Sequence, residues 1–217
     1  SLSKLHTGHQ LTYRRVLQKC INQKKMKVEV WAKEGGDWAC ERTGSPGNLA
    51  AFQEYFHDDS SVSATSLAVK LTVGQHIELG VAFCESASNV IYYCKFYDNE
   101  QLSILESLLT QTGASECLFD FEKNNVYHKK LKDILDRSSV ILTEQPKKNY
   151  RDTGLEQDLK TLVRGEKQYL SALEDKVVTP PLACLIRYLD LIADPTNHGV
   201  FTLKKFGLER YMKIDSA

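Results

Sequence analysis

Between residues 64 and 98 the chain alternates large apolar residues with small or polar ones in three successive runs, separated only by short turns. Leu67, Val69, Leu71 and Val73 alternate with Ser66, Ala68, Lys70 and Thr72. Ile77, Leu79, Val81 and Phe83 repeat the pattern after Gly74, and Val90, Tyr92, Cys94 and Phe96 repeat it after residues 86–89. Successive side chains on a strand point to opposite faces, so each run predicts a strand. Parallel neighbours need a crossover of a dozen or more residues, which these turns do not contain. The three runs therefore predict an antiparallel meander, and every later element has to be placed around it.

After the meander the period changes. Asp98 or Asn99 caps a helix with Leu102, Leu105, Leu108 and Leu109 on one face, and Gly113 stops it. Cys117–Phe121 reads as a fourth strand. Val126, Leu131, Ile134 and Leu135 mark a second helix, Ser139–Thr143 a fifth strand, and Leu155, Leu159, Leu162 and Val163 a third helix. Right-handed crossovers fold this order into a mixed five-stranded sheet flanked by helices, an α/β fold of ribonuclease H-like topology. Residues 165–176 read as a loop. Thr179-Pro180 opens a further helix with Leu182, Leu185, Ile186, Leu189 and Ile192 on its apolar face, ended by Pro195. The loosely alternating tail, 199–214, reads as a strand leading elsewhere.

A small α+β unit precedes the meander. Tyr13, Val16, Leu17, Cys20 and Ile21 share a helical face, and residues 27–42 form a hairpin about Gly35-Gly36. Ser45-Pro46-Gly47 breaks the pattern, Leu49, Phe52, Tyr55 and Phe56 give a short helix, and a polar run over 58–63 closes the head. The charge distribution separates the two units. Lys plus Arg and Asp plus Glu both total 28, and such a balance disfavours a protein held to nucleic acid mainly by phosphate neutralisation. Yet residues 1–33 hold eight basic groups and one acid, Glu29, leaving twenty basic against twenty-seven acidic groups in the remainder. A basic head on an acidic body predicts two structural units.

Several function classes find no support. No run approaches the roughly 18 apolar residues of a spanning helix, so no membrane protein is expected. Six cysteines (20, 40, 84, 94, 117 and 184) lack metal-ligand spacing and read as reduced structural thiols, as the absence of a signal-peptide apolar region also suggests. The lack of an initiator Met and the end at Asp215-Ser216-Ala217, directly after an apolar segment, predict a piece of a larger protein. Two-metal nucleases of this topology need carboxylates converging from the first strand, first helix and fourth strand. Here the first strand carries no acid. Glu106 therefore reads as a solvated helix charge and Asp120 as an edge or loop group. A metal-dependent nuclease with an atypical carboxylate set is kept as the alternative. There is no phosphate-binding GxxxxGK[ST] loop and no nucleophile elbow. The histidines at 6, 9, 57, 76, 128 and 198 are scattered and read as surface residues. Tyr92, Tyr93, Phe96 and Tyr97 read as core packing rather than a base-stacking platform.

Several stretches, taken together and in order, resemble one family. Ser45-Pro46-Gly47-Asn48-Leu49, with Phe52 following, resembles the junction leading out of the mismatch-binding domain in the MutS DNA mismatch-repair family. Asp98-Asn99, Leu105-Glu106, Leu108-Leu109, Gly113, Glu116-Cys117, Ile141-Leu142-Thr143-Glu144 and Gln157-Asp158-Leu159 resemble its connector domain. Tyr211-Met212-Lys213-Ile214-Asp215 is similar to the start of its lever domain. The pattern lies nearest the eukaryotic MutS homolog two type.

The resemblance implies that residues 1–44 end the mismatch-binding domain, 45–194 form a ribonuclease H-like connector without catalysis, and 195–217 begin the lever. It implies no catalytic, cofactor or metal residue in this stretch, with ATP and Mg bound elsewhere in the parent protein. The implied partners are a second MutS-homolog subunit, a MutL-type heterodimer and mismatched duplex DNA, in the nucleus. Polar residues on the helix after the last sheet strand contact MutL in bacterial relatives. The corresponding positions are Gln157 and Asp158, the second departing from the bacterial pattern. The basic head, through Arg14, Arg15, Lys19, Lys24 and Lys25, would face DNA.

Overall fold

The computed structural model describes residues 10–56, 64–85, 88–120 and 126–208. The head begins with helix α1 (Gln10–Gln18), continued by one π-type turn to Gln23, and then a hairpin of β1 (Val28–Glu34) and β2 (Asp37–Gly44). A 3-10 turn at Ala50–Tyr55 brings Phe52 and Phe56 against Leu17, Ile21, Leu49 and Ala64, a small core of its own. The Arg42 guanidinium reaches Glu54 at 2.7 Å, and Tyr13 packs edge-on against Tyr55. The polar run expected over 58–63 lies outside the described residues.

The meander forms as the alternation requires. Strands β3 (Thr65–Val73), β4 (Ile77–Glu85) and β5 (Val90–Asp98) pair antiparallel in unbroken register, from Thr65 opposite Glu85 to Val73 opposite Ile77. Asp98 then starts α2 (Ser103–Thr112), its two carboxylate oxygens accepting the amides of Ile104 and Leu105 while Asn99 Oδ1 accepts that of Ser103. Such caps are worth about 1 kcal/mol each. Next come β6 (Glu116–Asp120), α3 (Val126–Arg137) and β7 (Ile141–Gln145), with β6 parallel to both β3 and β7. Helices α4 (Leu155–Leu162), α5 (Glu166–Leu173) and α6 (Thr179–Tyr188) follow.

Three expectations need correction. The sheet has six strands, in the order β7-β6-β3-β4-β5-β8, because β8 (Thr202–Lys205) pairs parallel with β5. The first part of the tail thus covers an edge that would otherwise expose unpaired backbone. Phe206 follows it onto Phe83 and Tyr92, while Tyr211 and Ile214 lie outside the described residues. The expected loop over 165–176 contains α5, an eight-residue helix whose buried Tyr169 and Ala172 give too short a periodic signal to register. Finally, α6 ends at Tyr188, well before Pro195, which opens a separate 3-10 turn.

Both faces of the sheet are covered. Leu67, Val69, Leu79, Val81, Cys117 and Phe119 pack against α2 and α3. Ala68, Ala82, Ile91, Tyr93 and Leu118 pack against α4, α5 and α6. Tyr93 is buried and Tyr92 and Phe96 are half-buried, as core packing predicts, but Tyr97, next to the end of β5, is 63% exposed. All six cysteines are free; Cys84, Cys94, Cys117 and Cys184 are buried and Cys40 is exposed. Burial pushes the Cys84, Cys94 and Cys184 thiols up to about 12, so almost no thiolate is present at pH 8. Iodoacetamide at that pH is accordingly expected to modify Cys40 well ahead of these three in the folded protein, as peptide mapping would report.

Candidate functional site

Two inward-facing carboxylates on β6 and one exposed helix define the chemistry that the fold makes available. The first carboxylate is Asp120, at the carboxyl end of β6. It is 5% exposed and sits between two neighbouring strands, so it is neither an edge nor a loop group as expected. The β3/β6 register that sets Val69 beside Phe119 brings Lys70 next to Asp120, and the ammonium donates directly to the carboxylate. Lys70 also lies 5.8 Å from the centre of the buried Tyr150 ring. A two-metal cage would need further carboxylates beside Asp120. Among the described residues no group of three His, Cys, Asp or Glu side chains is close enough to hold a metal ion. Glu106 does not converge either: it is half-buried on the opposite face, where Arg137 Nε and Nη2 reach it at 3.1 and 3.0 Å. The carboxylate set that the nuclease alternative requires is therefore not assembled among these residues.

The second carboxylate is Glu116, completely buried at the opposite end of β6. Sequence reasoning gave it no role. Three hydroxyls from three separate elements donate to it: Ser45 to Oε2, Thr143 of β7 to Oε1, and Tyr188 of α6 to Oε1 at 2.7 Å. The Ser45 and Tyr188 oxygens are themselves 3.2 Å apart. Lys27, just ahead of β1, places its ammonium 3.8 Å from Oε1. Burial, and then the neighbouring Glu116 carboxylate, push the Tyr188 phenol well above its usual range, which keeps it a hydrogen-bond donor.

Ser45 and Lys27 belong to the head, whereas Glu116, Thr143 and Tyr188 belong to the sheet and its covering helix. The Ser45-Pro46-Gly47-Asn48 turn, closed by hydrogen bonds between the Ser45 and Asn48 backbones, thus lies directly on the sheet. Gly47 fits because it has no side chain: a Cβ there would meet Ser66 Oγ at 2.5 Å and Glu116 Cβ at 2.6 Å. The available signal was a pair of charged residues bounding an apolar strand core (Glu-Cys-Leu-Phe-Asp), together with a turn containing Ser and Gly upstream.

Gln157 and Asp158 lie in the first turn of α4; Gln157 is exposed opposite the fully buried Leu155, Leu159 and Leu162, and Asp158, half-buried, borders that apolar face. Glu156 and Lys160 pair across one turn of the same helix at 2.6 Å. In the head, Arg14 and Arg15 lie on α1, Lys19 on the turn after it, and Lys24 and Lys25 on the approach to β1. Arg15, Lys19, Lys24 and Lys25 are exposed and Arg14 is half-buried. Of these, Lys25 lines a cleft with Glu106 of α2 and Arg137 of α3, on the side of the sheet away from α4. No helix among the described residues is long and apolar enough to cross a membrane.

The family model for MutS domain II matches residues 64–201, from the start of the meander to the approach to β8. The chain belongs to the MutS family. The resemblance to the MutS homolog two type is borne out by the curated relatives. DNA mismatch repair protein Msh2 of Dictyostelium discoideum is 31% identical over 94% of this chain and 22% of that protein. DNA mismatch repair protein spellchecker 1 of Drosophila melanogaster is 33% identical over 88% of this chain and 22% of that protein. DNA mismatch repair protein MSH2 of Arabidopsis thaliana is 30% identical over 88% and 21% respectively. The chain spans about a fifth of the length of these relatives. Its central domain is thus the ribonuclease H-like domain II of a MutS protein.

Proposed function

We propose that this chain is the non-catalytic connector region of a DNA mismatch-repair recognition protein, one that serves the DNA damage response in the nucleus. Residues 1–44 end a mismatch-binding domain, residues 45–194 form the connector, and residues 195–217 begin the lever; the pairing of Thr202–Lys205 with β5 carries the connector's sheet past residue 194. The parent protein pairs with a second MutS-homolog subunit, holds mismatched duplex DNA, and binds ATP and Mg at a distance from this region. The connector relays nucleotide state between the two ends. The observation that supports the reading best is the Glu116 joint: the hydroxyl-ligated carboxylate fixes the Ser45 turn, where the chain enters the connector, to the connector's sheet, and Lys27 of the DNA-side unit reaches the same carboxylate at 3.8 Å. Arg15, Lys19, Lys24 and Lys25, all exposed, supply the DNA-facing charge of the head together with Arg14.

The chain is expected to show no turnover of ATP and no cleavage of DNA or RNA with Mg or Mn. Metal-dependent cleavage that vanishes on Asp120→Asn would overturn the connector reading. The second part of the proposal is that α4 docks a MutL-type heterodimer through Gln157 and Asp158. Capture of that heterodimer on immobilised chain should fall about tenfold in the Gln157→Ala/Asp158→Ala variant, the scale of one interface hot spot. Equal capture by the variant and the parent sequence would remove these residues from the contact.

A further inference from the structure

A single guanidinium organises the loop between β7 and α4. Arg187, on α6, directs Nη1 to the carbonyl oxygens of Lys148, Asn149 and Arg151 at 3.3, 2.8 and 2.6 Å, and Nη2 to that of Thr153 at 2.7 Å. Backbone carbonyls carry negative partial charge and repel an approaching anion; here four of them turn toward one cation. The buried Tyr150 side chain anchors the underside of the loop, and Asn149 Nδ2 donates to Gln145 Oε1 at 2.8 Å. On the outside, Lys147, Lys148 and Arg151 are exposed. Of the acids nearby in sequence, Asp152 pairs with Lys176 at 3.6 Å and Glu156 with Lys160 at 2.6 Å, while Glu144 lies exposed on β7 ahead of the loop. The result is an ordered cationic edge confined to the loop, since the first turn of α4 beyond it carries the acids Glu156 and Asp158.

We propose that this loop, held by Arg187, is a docking site for an acidic peptide segment, which seats on Lys148 and Arg151 and ends short of the acidic first turn of α4. A peptide suits the edge better than duplex DNA does. Duplex binding draws its strength from about six to ten phosphate contacts spread along a groove. This edge is one turn of chain long, a size that a few carboxylates cover. The inference deepens the docking reading given above and rests on it only for the identity of the partner.

The test is fluorescence anisotropy on the whole chain with two probes: a labelled Glu/Asp-rich peptide of about ten residues, and a labelled duplex of equal net charge. Lys148→Glu/Arg151→Glu replaces exposed side chains and spares the fold. It is expected to weaken the peptide about tenfold, whereas Lys24→Glu/Lys25→Glu should stay within about twofold. Peptide affinity unchanged by the loop reversal overturns the proposal. An equal loss from the head reversal also overturns it, since the attraction would then be unlocalised. So does a loop reversal that weakens the duplex and spares the peptide, which would make the edge a nucleic-acid contact.

Arg187→Ala gives an independent readout. It leaves the outward cations in place, yet it should raise backbone hydrogen exchange over residues 148–153 about tenfold and weaken the peptide. Unchanged exchange would remove Arg187 as the positioning residue. Loss of the peptide with MutL-type capture intact in Lys148→Glu/Arg151→Glu would uphold the acidic-peptide site and remove a MutL-type protein as its occupant.

Discussion

Truncating Glu116 to alanine is expected to lower the unfolding free energy by about 3 kcal/mol, a sum of costs that begins with the hydroxyls. Ser45, Thr143 and Tyr188 all donate to this carboxylate inside the protein, and each buried donor left without an acceptor costs about 1–3 kcal/mol. The Ser45 and Tyr188 oxygens, 3.2 Å apart, can satisfy one another in part, which brings the total down. Lys27 adds little, because its side chain is 42% exposed and recovers water when its partner is removed. Glu116→Gln keeps the volume and one acceptor oxygen and should cost about 1 kcal/mol. In a domain of this size the alanine variant corresponds to a thermal midpoint about 6–12 °C lower.

A functional signature should accompany the loss. Hydrogen exchange at Ser45–Asn48 should rise more than exchange across β3–β5, because the donors lost from the head are its attachment to the sheet. A midpoint within about 1 °C of the parent sequence, with exchange at the turn unchanged, would show that Glu116 does not hold the joint.

The meander was legible because a period of two, sustained over three runs, admits one pairing: a slip of one residue would turn Leu67, Val69 and Leu71 away from their neighbours on α2 and α3. The helices that follow were legible for the complementary reason, since Leu105, Leu108, Leu131 and Leu135 recur at helical spacing and are all buried. What escaped was what sequence distance hides. Strand β8 is four residues long, and its partner lies over a hundred residues earlier, so nothing local marks it as the sixth strand.

The roles of Glu116 and Asp120 escaped for a related reason. In a strand with one wet face, alternating Glu116, Leu118 and Asp120 with Cys117 and Phe119 would put the charges in water. This sheet is covered on both faces, so the charges point inward and need partners, which come from β3, β7, α6 and the head. Gln157 and Asp158 were singled out by resemblance alone; in the structure Gln157 is exposed and Asp158 half-buried on α4. The family was legible because its motifs occur in the right order along the chain, a property of the whole sequence that no single turn or helix carries.

Gly80→Ala is expected to be as damaging as the loss of Glu116, although it adds a single methyl group. Gly80 lies on β4, opposite Lys70 on β3 and Lys95 on β5, hydrogen-bonded on both sides in the middle of the sheet. A Cβ at this position would overlap the Val177 carbonyl oxygen and stand 2.8 Å from its carbonyl carbon. Both are backbone atoms, so no side-chain rotation relieves the contact. β4 cannot retreat without breaking two ladders, and the segment entering α6 has to give way instead. That segment is itself tied down: the Val177 amide donates to Asp175 Oδ1 at 3.1 Å, Asp175 pairs with Lys95 at 2.7 Å, and Val178 is buried.

Overpacking of this kind costs about 1–3 kcal/mol, and a clash with fixed backbone belongs at the top of that range. The expected fall in thermal midpoint is again about 6–12 °C. The further consequence follows from what α6 carries. Arg187 and Tyr188, adjacent at its end, hold the basic loop and the Glu116 joint respectively. A helix pushed off the sheet at its start should therefore loosen both, and hydrogen exchange in native conditions should rise together at residues 148–153 and at Ser45–Asn48. If Gly80→Ala destabilised the protein but left those two segments at parent rates, the displacement would be confined to the entry of α6, and the joint and the docking loop would be mechanically independent.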